Sequence, residues 1–271
     1  MAVEVSVIMA AHQAAATIAR ATLSVLSQEG VDAELVVCAD DDLDYGALLP
    51  SAMRRAGRVT LCRTPAPRSG PPIARNIALQ HARGEVIACL DADDEYAPGR
   101  LARLLPLVAR HGVATGPTRE IPADGAGVRL AQPRGKDGRL SLEDICELRM
   151  PFSPVYRRAL WPHGWPQIDF AEDVILNVDL HCAAGIYPFA AGADYIYHVS
   201  GTSRTQSESA LREARAGYLQ ILDLAGRRAW PQDVRDLVRR VFREDLAAVD
   251  AALAGGRDGS AWRDAVRDSA P

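Results

Sequence analysis

Two short acidic runs carry the chemistry that is easiest to read from this chain, Asp40-Asp41-Asp42 and Asp91-Ala92-Asp93-Asp94. Carboxylates crowded into one turn repel one another unless a cation lies between them. A hard divalent ion such as Mg2+ or Mn2+ takes oxygen ligands, commonly one or two carboxylates completed by phosphate oxygens. The chemistry suggested is a metal-assisted site for a phosphorylated substrate. The pattern Asp-x-Asp selects nothing by itself, because it occurs at 40–42, 42–44 and 91–93. An acidic turn is more often a solvated loop or a helix cap. Context separates the copies: only 91–93 directly follows a six-residue strand-like run, Glu85-Val-Ile-Ala-Cys-Leu90, and precedes a helix opened by proline.

The elements that must position these acids follow from hydrophobic periodicity. Residues 3–9 begin with period-two alternation and end as a continuous apolar run, which predicts a strand entering a buried sheet. Ile18, Thr22, Val25 and Leu26 predict a helix that stops at Gly30. Further strands are expected over 35–38, 59–62 and 85–90, separated by a short helix near 48–53 and a helix opened by Pro72 and ended by Gly84. Pro106 is expected to kink or stop the next helix, which is lined by Leu101, Leu104, Leu105 and Val108. Strands regularly separated by helices imply a three-layer α/β fold with a mainly parallel sheet, and ligands in such folds bind beyond the carboxyl ends of the strands. Both acidic runs lie there.

Past Val113 the rhythm breaks. Residues 116–139 are rich in Gly, Pro, Asp and Arg and are expected to be a surface loop. Ser141 to Asp144 resembles a capping box, 154–156 and 195–197 read as short strands, and Glu172-Asp173 opens a helix closed by Gly185. From about Gln206 the chain reads as helical.

These features together resemble family 2 glycosyltransferases of the GT-A fold. The resemblance rests on Val5-Ser-Val-Ile-Met9, on Ala74-Arg75-Asn76 in a helix, on Gly84-Glu85 before a strand ending Leu90-Asp-Ala-Asp-Asp94, and on Glu172-Asp173 before an amphipathic helix. It covers roughly residues 3–205. It implies a GT-A-like domain over 1–205, with a nucleotide-sugar-binding half (1–115) and an acceptor and catalytic half (116–205), followed by a C-terminal helical extension (206–271). It also implies a metal-dependent inverting enzyme that moves a sugar from a nucleotide-sugar to an acceptor hydroxyl, in bacterial polysaccharide or glycoconjugate synthesis.

Carried onto this sequence, the resemblance makes Asp93 a metal ligand and places Asp91 at the ribose or the metal shell. Asp40 would bond the nucleotide base, Arg75 would lie near the base or diphosphate, and Asp173 would be the general base. A late histidine completes the metal shell in some GT-A enzymes, which makes His198 a candidate ligand to the Mn2+ or Mg2+. The family's usual residues after the first strand are replaced here by Ala10-Ala-His-Gln13, so Ala11 and His12 become candidates for nucleotide contact. After the second strand Ala39-Asp-Asp-Asp42 replaces the common Asp-Asp-Gly-Ser, which keeps Asp40 and loses the glycine. Residues 200–204 offer hydroxyls and Arg204 for a lid over phosphates. Trp161, His163 and Trp165 either stack on an acceptor sugar or pack as buried aromatics.

Composition excludes other classes. A net charge of −4 lacks the basic footprint of a nucleic-acid binder. No apolar run approaches the ~20 residues of a membrane span, so only peripheral membrane contact is open to a protein acting on a saccharide or lipid-linked acceptor. The N-terminus has no basic segment ahead of an apolar one, and a cytoplasmic location is expected. Five scattered cysteines read as reduced core thiols, and the six histidines form no zinc pattern. Two rival readings stay open: a sugar-phosphate nucleotidyltransferase, which would want a Gly-rich basic loop where residues 10–16 have none, and a non-catalytic module that binds nucleotide-sugar or saccharide.

Overall fold

A computed structural model describes residues 3–55, 57–122, 127–135, 137–199 and 209–256. The centre is a six-stranded sheet in the order β3-β2-β1-β4-β9-β6. Strands β1 (Val5–Ala11), β2 (Ala33–Ala39), β3 (Val59–Arg63) and β4 (Val86–Cys89) are parallel, while β9 (Val155–Arg157) runs antiparallel to both β4 and β6 (Val113–Ala114). β1 and β2 are buried along nearly their whole length, because helices cover both faces of the sheet. Ile8, Val36, Cys38 and Ile87 face α4 (Pro71–His81), and the alternate residues Val7, Met9, Leu35 and Val37 pack with α1 (Ile18–Leu26) and α5 (Arg100–His111). Continuous apolar strands are what a parallel sheet covered on both sides requires, and each large apolar side chain buried contributes about 1.5–3 kcal/mol.

Several local expectations change. The single helix expected near 48–53 is two short ones, α2 (Tyr45–Leu48) and α3 (Ser51–Arg55), separated at Pro50. α5 runs through Pro106 to His111 instead of stopping. Leu101, Leu104 and Val108 are fully buried, and their burial outweighs the one hydrogen bond that proline removes. The expected loop 116–139 holds two strands, β7 (Thr118–Ile121) and β8 (Arg129–Ala131). With β5 (Glu95–Tyr96) and β10 (Tyr195–His198) they form a second sheet in the order β5-β10-β7-β8. β7 pairs in parallel with β10 from far along the chain, so no local alternation announces it. Residues 200–204, the expected lid, lie outside the described residues.

α6 (Leu142–Glu147) starts with the full capping box, Ser141 and Asp144 each satisfying the other's backbone. α7 (Glu172–Ala184) packs into the same core cluster as Ala74 and Ala78 of α4 and closes at Gly185. α8 (Ala210–Arg227) and α9 (Gln232–Ala254) pack into the same core cluster as α7. Gly217 of α8 is a close-approach position: a Cβ there would fall 2.6 Å from the Phe170 Cβ and 2.8 Å from the Phe170 backbone. Gln220 accepts the Asp169 N–H at 2.8 Å and donates to the Asp169 carboxylate at 2.8 Å. The segment that leads into α7 is thus held by α8. Among the described residues no helix is long and apolar enough to cross a membrane.

Candidate active site

The carboxyl ends of β1, β2 and β4 open on one edge of the sheet, and α4 and α7 bring their N-terminal turns to the same edge. The turn after β4 carries Asp91, Asp93 and Asp94. Asp94 points inward and is 1% exposed. It accepts the Tyr195 hydroxyl at 2.7 Å and the His198 N–H at 2.8 Å, and Tyr195 in turn accepts the Asp91 N–H at 3.1 Å. β10 therefore fastens the turn from below. Burial, then the neighbouring Asp93 and Asp91, push the Asp94 carboxyl well up.

Asp91 and Asp93 are left facing outward. Burial and the nearby Asp91 charge push Asp93 up to about 6, with Arg20 and His198 opposing. Arg20 donates to the Asp93 carbonyl at 2.5 Å and pairs with Glu95 at 3.2 Å. His198 lies beside the turn with Nε2 2.7 Å from Glu95 Oε1, so one ring nitrogen is committed to that carboxylate. Among the described residues no group of three or more His, Cys, Asp or Glu side chains is gathered to hold a metal ion. The outward pair supplies hard oxygen donors in an incomplete shell.

Arg75 connects this turn to α7. Its guanidinium is almost fully buried; Nη2 donates to Asp91 Oδ1 at 2.6 Å and Nη1 to Glu172 Oε1 at 2.7 Å. The plane lies over Trp165, 4.3 Å from the ring centroid. Asn76, the next residue, holds Trp165 by both backbone groups, donating to its carbonyl at 3.0 Å and accepting its N–H at 2.7 Å. Trp165 is thus a buried platform for Arg75, while Trp161 and His163 stack edge-to-face on each other at 4.7 Å.

Asp173 follows Glu172 in the first turn of α7. The preceding Ala171 sits in the left-handed region at φ 61°, ψ 30°, and no side chain caps the helix. Burial, reinforced by the Glu172 charge and opposed by Arg75, pushes Asp173 up to about 7. A carboxylate with that value can take a proton near neutral pH.

The tip of β2 is built differently. Asp40 is 4% exposed and spends its carboxylate on the loop into α4: Oδ1 accepts the Thr64 hydroxyl at 2.9 Å and the Ser69 N–H at 2.8 Å, and Oδ2 accepts the Gly70 N–H at 2.9 Å. Asp41 accepts from the Gln13 N–H, the Tyr45 hydroxyl and the Leu43 N–H, and these bonds overcome its burial and hold it below its ordinary value. This acidic run is therefore no cation clasp; it is an organiser of loops. Ala11, at the end of β1, has a fully buried side chain and its carbonyl takes the Asp40 N–H at 2.8 Å, while the next residues, His12 and Gln13, are exposed.

Of the residues singled out by sequence, Arg75, Asp91, Asp93 and Asp173 come together, with His198 beside Asp93. Tyr195, Glu95, Arg20 and Trp165 complete the site. Periodicity marked Tyr195 only as part of a strand, and nothing in its spacing tied its hydroxyl to an acidic turn a hundred residues away.

The family model described as Glycosyl transferase family 2 matches residues 6–163. Succinoglycan biosynthesis protein ExoO of Rhizobium meliloti is 31% identical over 215 residues, which cover 72% of this chain and 61% of ExoO. The chain thus spans about three fifths of that relative's length. The beta-1,3-glucosyltransferase WfgD of Escherichia coli, named for UDP-Glc and alpha-D-GlcNAc-diphosphoundecaprenol, is 33% identical over 110 residues, 41% of this chain and 43% of WfgD. Among solved structures, S. aureus TarS 1–349 in complex with UDP-GlcNAc matches with a TM-score of 0.68 at 18% identity, over 92% of this chain and 73% of that one. Mannosyltransferase PcManGT from Pyrobaculum calidifontis, in complex with GDP-Man and Mn2+, matches with a TM-score of 0.65 at 19% identity, over 94% and 75%. The shared architecture is the GT-A fold. The chain belongs to glycosyl transferase family 2.

Proposed function

We propose that this chain is a metal-dependent inverting glycosyltransferase that moves a sugar from a nucleotide-sugar to a hydroxyl of a saccharide or lipid-linked acceptor, in polysaccharide or glycoconjugate assembly. The observation that carries the reading is the Arg75 bridge, which joins the outward carboxylates after β4 to the acidic pair opening α7 in one site. Nucleotide-sugars in TarS and PcManGT and the lipid-linked acceptor in the name of WfgD support the substrate classes.

A divalent cation fits the donor set: Asp93, with a carboxyl pushed up by burial and by Asp91, gains a counter-charge when one arrives. Asp93 and Asp91 would hold it, with His198 beside them. Such an ion, when bound, stabilises negative charge developing on a departing nucleoside diphosphate. The loop held by Asp40, together with His12 and Gln13, shapes the nucleotide end. Arg75 fixes Asp91 and Glu172, so each keeps its place relative to Asp173. Asp173, ionised above about pH 7, takes the proton from the acceptor hydroxyl as that oxygen attacks the anomeric carbon. Attack opposite the leaving group inverts the anomeric centre, so one catalytic carboxylate suffices.

The test is release of nucleoside diphosphate across a panel of UDP- and GDP-sugars, with and without Mn2+. Release that depends on Mn2+ and gives a product of inverted configuration is the expected result. Absence of both donor binding and release, or a retained configuration, overturns the reading.

A further inference from the structure

Cys38 of β2 stands directly opposite Cys62 of β3 in the parallel register. Side chains at one register position leave the sheet on the same face, and neighbouring strands lie about 4.8 Å apart. A disulfide spans Cα separations of roughly 4.4–6.8 Å. Both cysteines pack on the face covered by Ala74 and Ala78 of α4. The Cys62 thiol donates to the Val37 carbonyl at 3.5 Å, one residue before Cys38 on β2. Cys38 is fully buried, whereas Cys62 keeps some exposure because β3 is the edge strand. We propose that Cys38 and Cys62 form a reversible disulfide site, closed by a hydroperoxide that reaches the open edge of the sheet.

The two thiols are unequal. The neighbouring Cys38 thiol lowers the pKa of Cys62, the more exposed of the two, while Cys62 and burial push Cys38 up. Cys62 is therefore the attacking sulfur. Its thiolate attacks one peroxide oxygen, the O–O bond breaks, and the departing hydroxide takes up a proton to leave as water. Cys38 then attacks the sulfur of the resulting sulfenic acid; the S–O bond breaks and the hydroxyl leaves with the Cys38 proton as a second water. Two thiols lose two electrons in all and the hydroperoxide gains them. The other cysteines lack this arrangement. Cys89 stands opposite Ile8, and burial pushes Cys89 and Cys146 up to about 12 and Cys182 up to about 11. The cross-link falls two residues before Asp40 and two before Thr64, under the loop that their hydrogen bond anchors.

The full chain is treated with hydrogen peroxide, unreacted thiols are alkylated under denaturing conditions, and the protein is cut with trypsin. Residues 21–54 then carry Cys38 as their one cysteine, and residues 59–63 carry Cys62. The expected product is these two peptides linked, lighter by two hydrogens than their sum and separated again by dithiothreitol. Titratable thiols fall from five to three. Cys62→Ser at the sheet edge, with an unchanged circular dichroism spectrum, is expected to abolish the linked species and leave Cys38 alkylated. Recovery of Cys62 as a thiol or a sulfinic acid beside an alkylated Cys38 overturns the proposal, as does a linkage to any other cysteine.

Discussion

The two acidic strand tips, alike in sequence, are opposites in structure. After β2, Asp40 and Asp41 are surrounded by donors: hydroxyls and backbone N–H groups from two loops and from Tyr45 of α2. After β4, Asp93 lies near the Asp91 charge and is pushed up to about 6, while Asp91 shares the single guanidinium of Arg75 with Glu172 of α7. A carboxylate that meets donors is a structural staple, whereas one that meets carboxylates is stable only with outside positive charge. Counting acids in the sequence does not distinguish these cases; counting their neighbours does.

The sharpest way to test the contrast is at α7. Asp173→Asn keeps the shape and removes the base, so kcat is expected to fall about 100- to 10,000-fold while donor affinity by calorimetry is nearly unchanged. At the two tips, Asp93→Asn is expected to abolish Mn2+-dependent donor binding yet leave the metal-free Tm equal or higher, because a crowded charge is gone. Asp40→Asn is expected to do the reverse. It turns an amide toward backbone donors at a cost of about 1–3 kcal/mol, a Tm loss of roughly 2–4 °C per kcal/mol for a chain of this size. Equal effects of the two changes on Tm would erase the distinction.

The pH profile gives a finer test. With Asp173 at about 7, kcat is expected to rise with pH and level off above about 7. Glu172→Gln removes the adjacent charge that raises Asp173, so the rising limb is expected to move to lower pH. Stability runs the other way. A carboxyl raised above its ordinary 3.8 is favoured in the folded state when protonated, so thermal stability without ligand falls as pH climbs from there to about 7. The smallest effect is expected from Ala171→Gly, which relieves the left-handed backbone and stabilises the fold by a net amount of about 1 kcal/mol or less, read as a small rise in Tm. An unchanged Tm would mean that the turn is unstrained.

Legibility followed the range of the interactions. β1 to β4 and the helices between them were readable because burial on both faces prints continuous apolar runs and helical stripes into adjacent residues. The resemblance drew Arg75, Asp91, Asp93 and Asp173 from their motifs, and the structure brings these four together. β7 and β8 were hidden because they are short, lie among glycines and arginines, and depend on β10 from far along the chain. Asp40 stood out in the sequence but not as a loop staple, since its partners Thr64, Ser69 and Gly70 are joined to it only by the fold. Trp165 under Arg75 was invisible for the same reason.

The contact at Gly217 makes α8 a remote adjuster of the acidic pair that opens α7. Any bulk added there must displace Phe170, and Phe170 lies two residues before the acidic pair of α7. A change in this helix therefore shifts Glu172 and Asp173 without altering any residue of the acidic cluster itself.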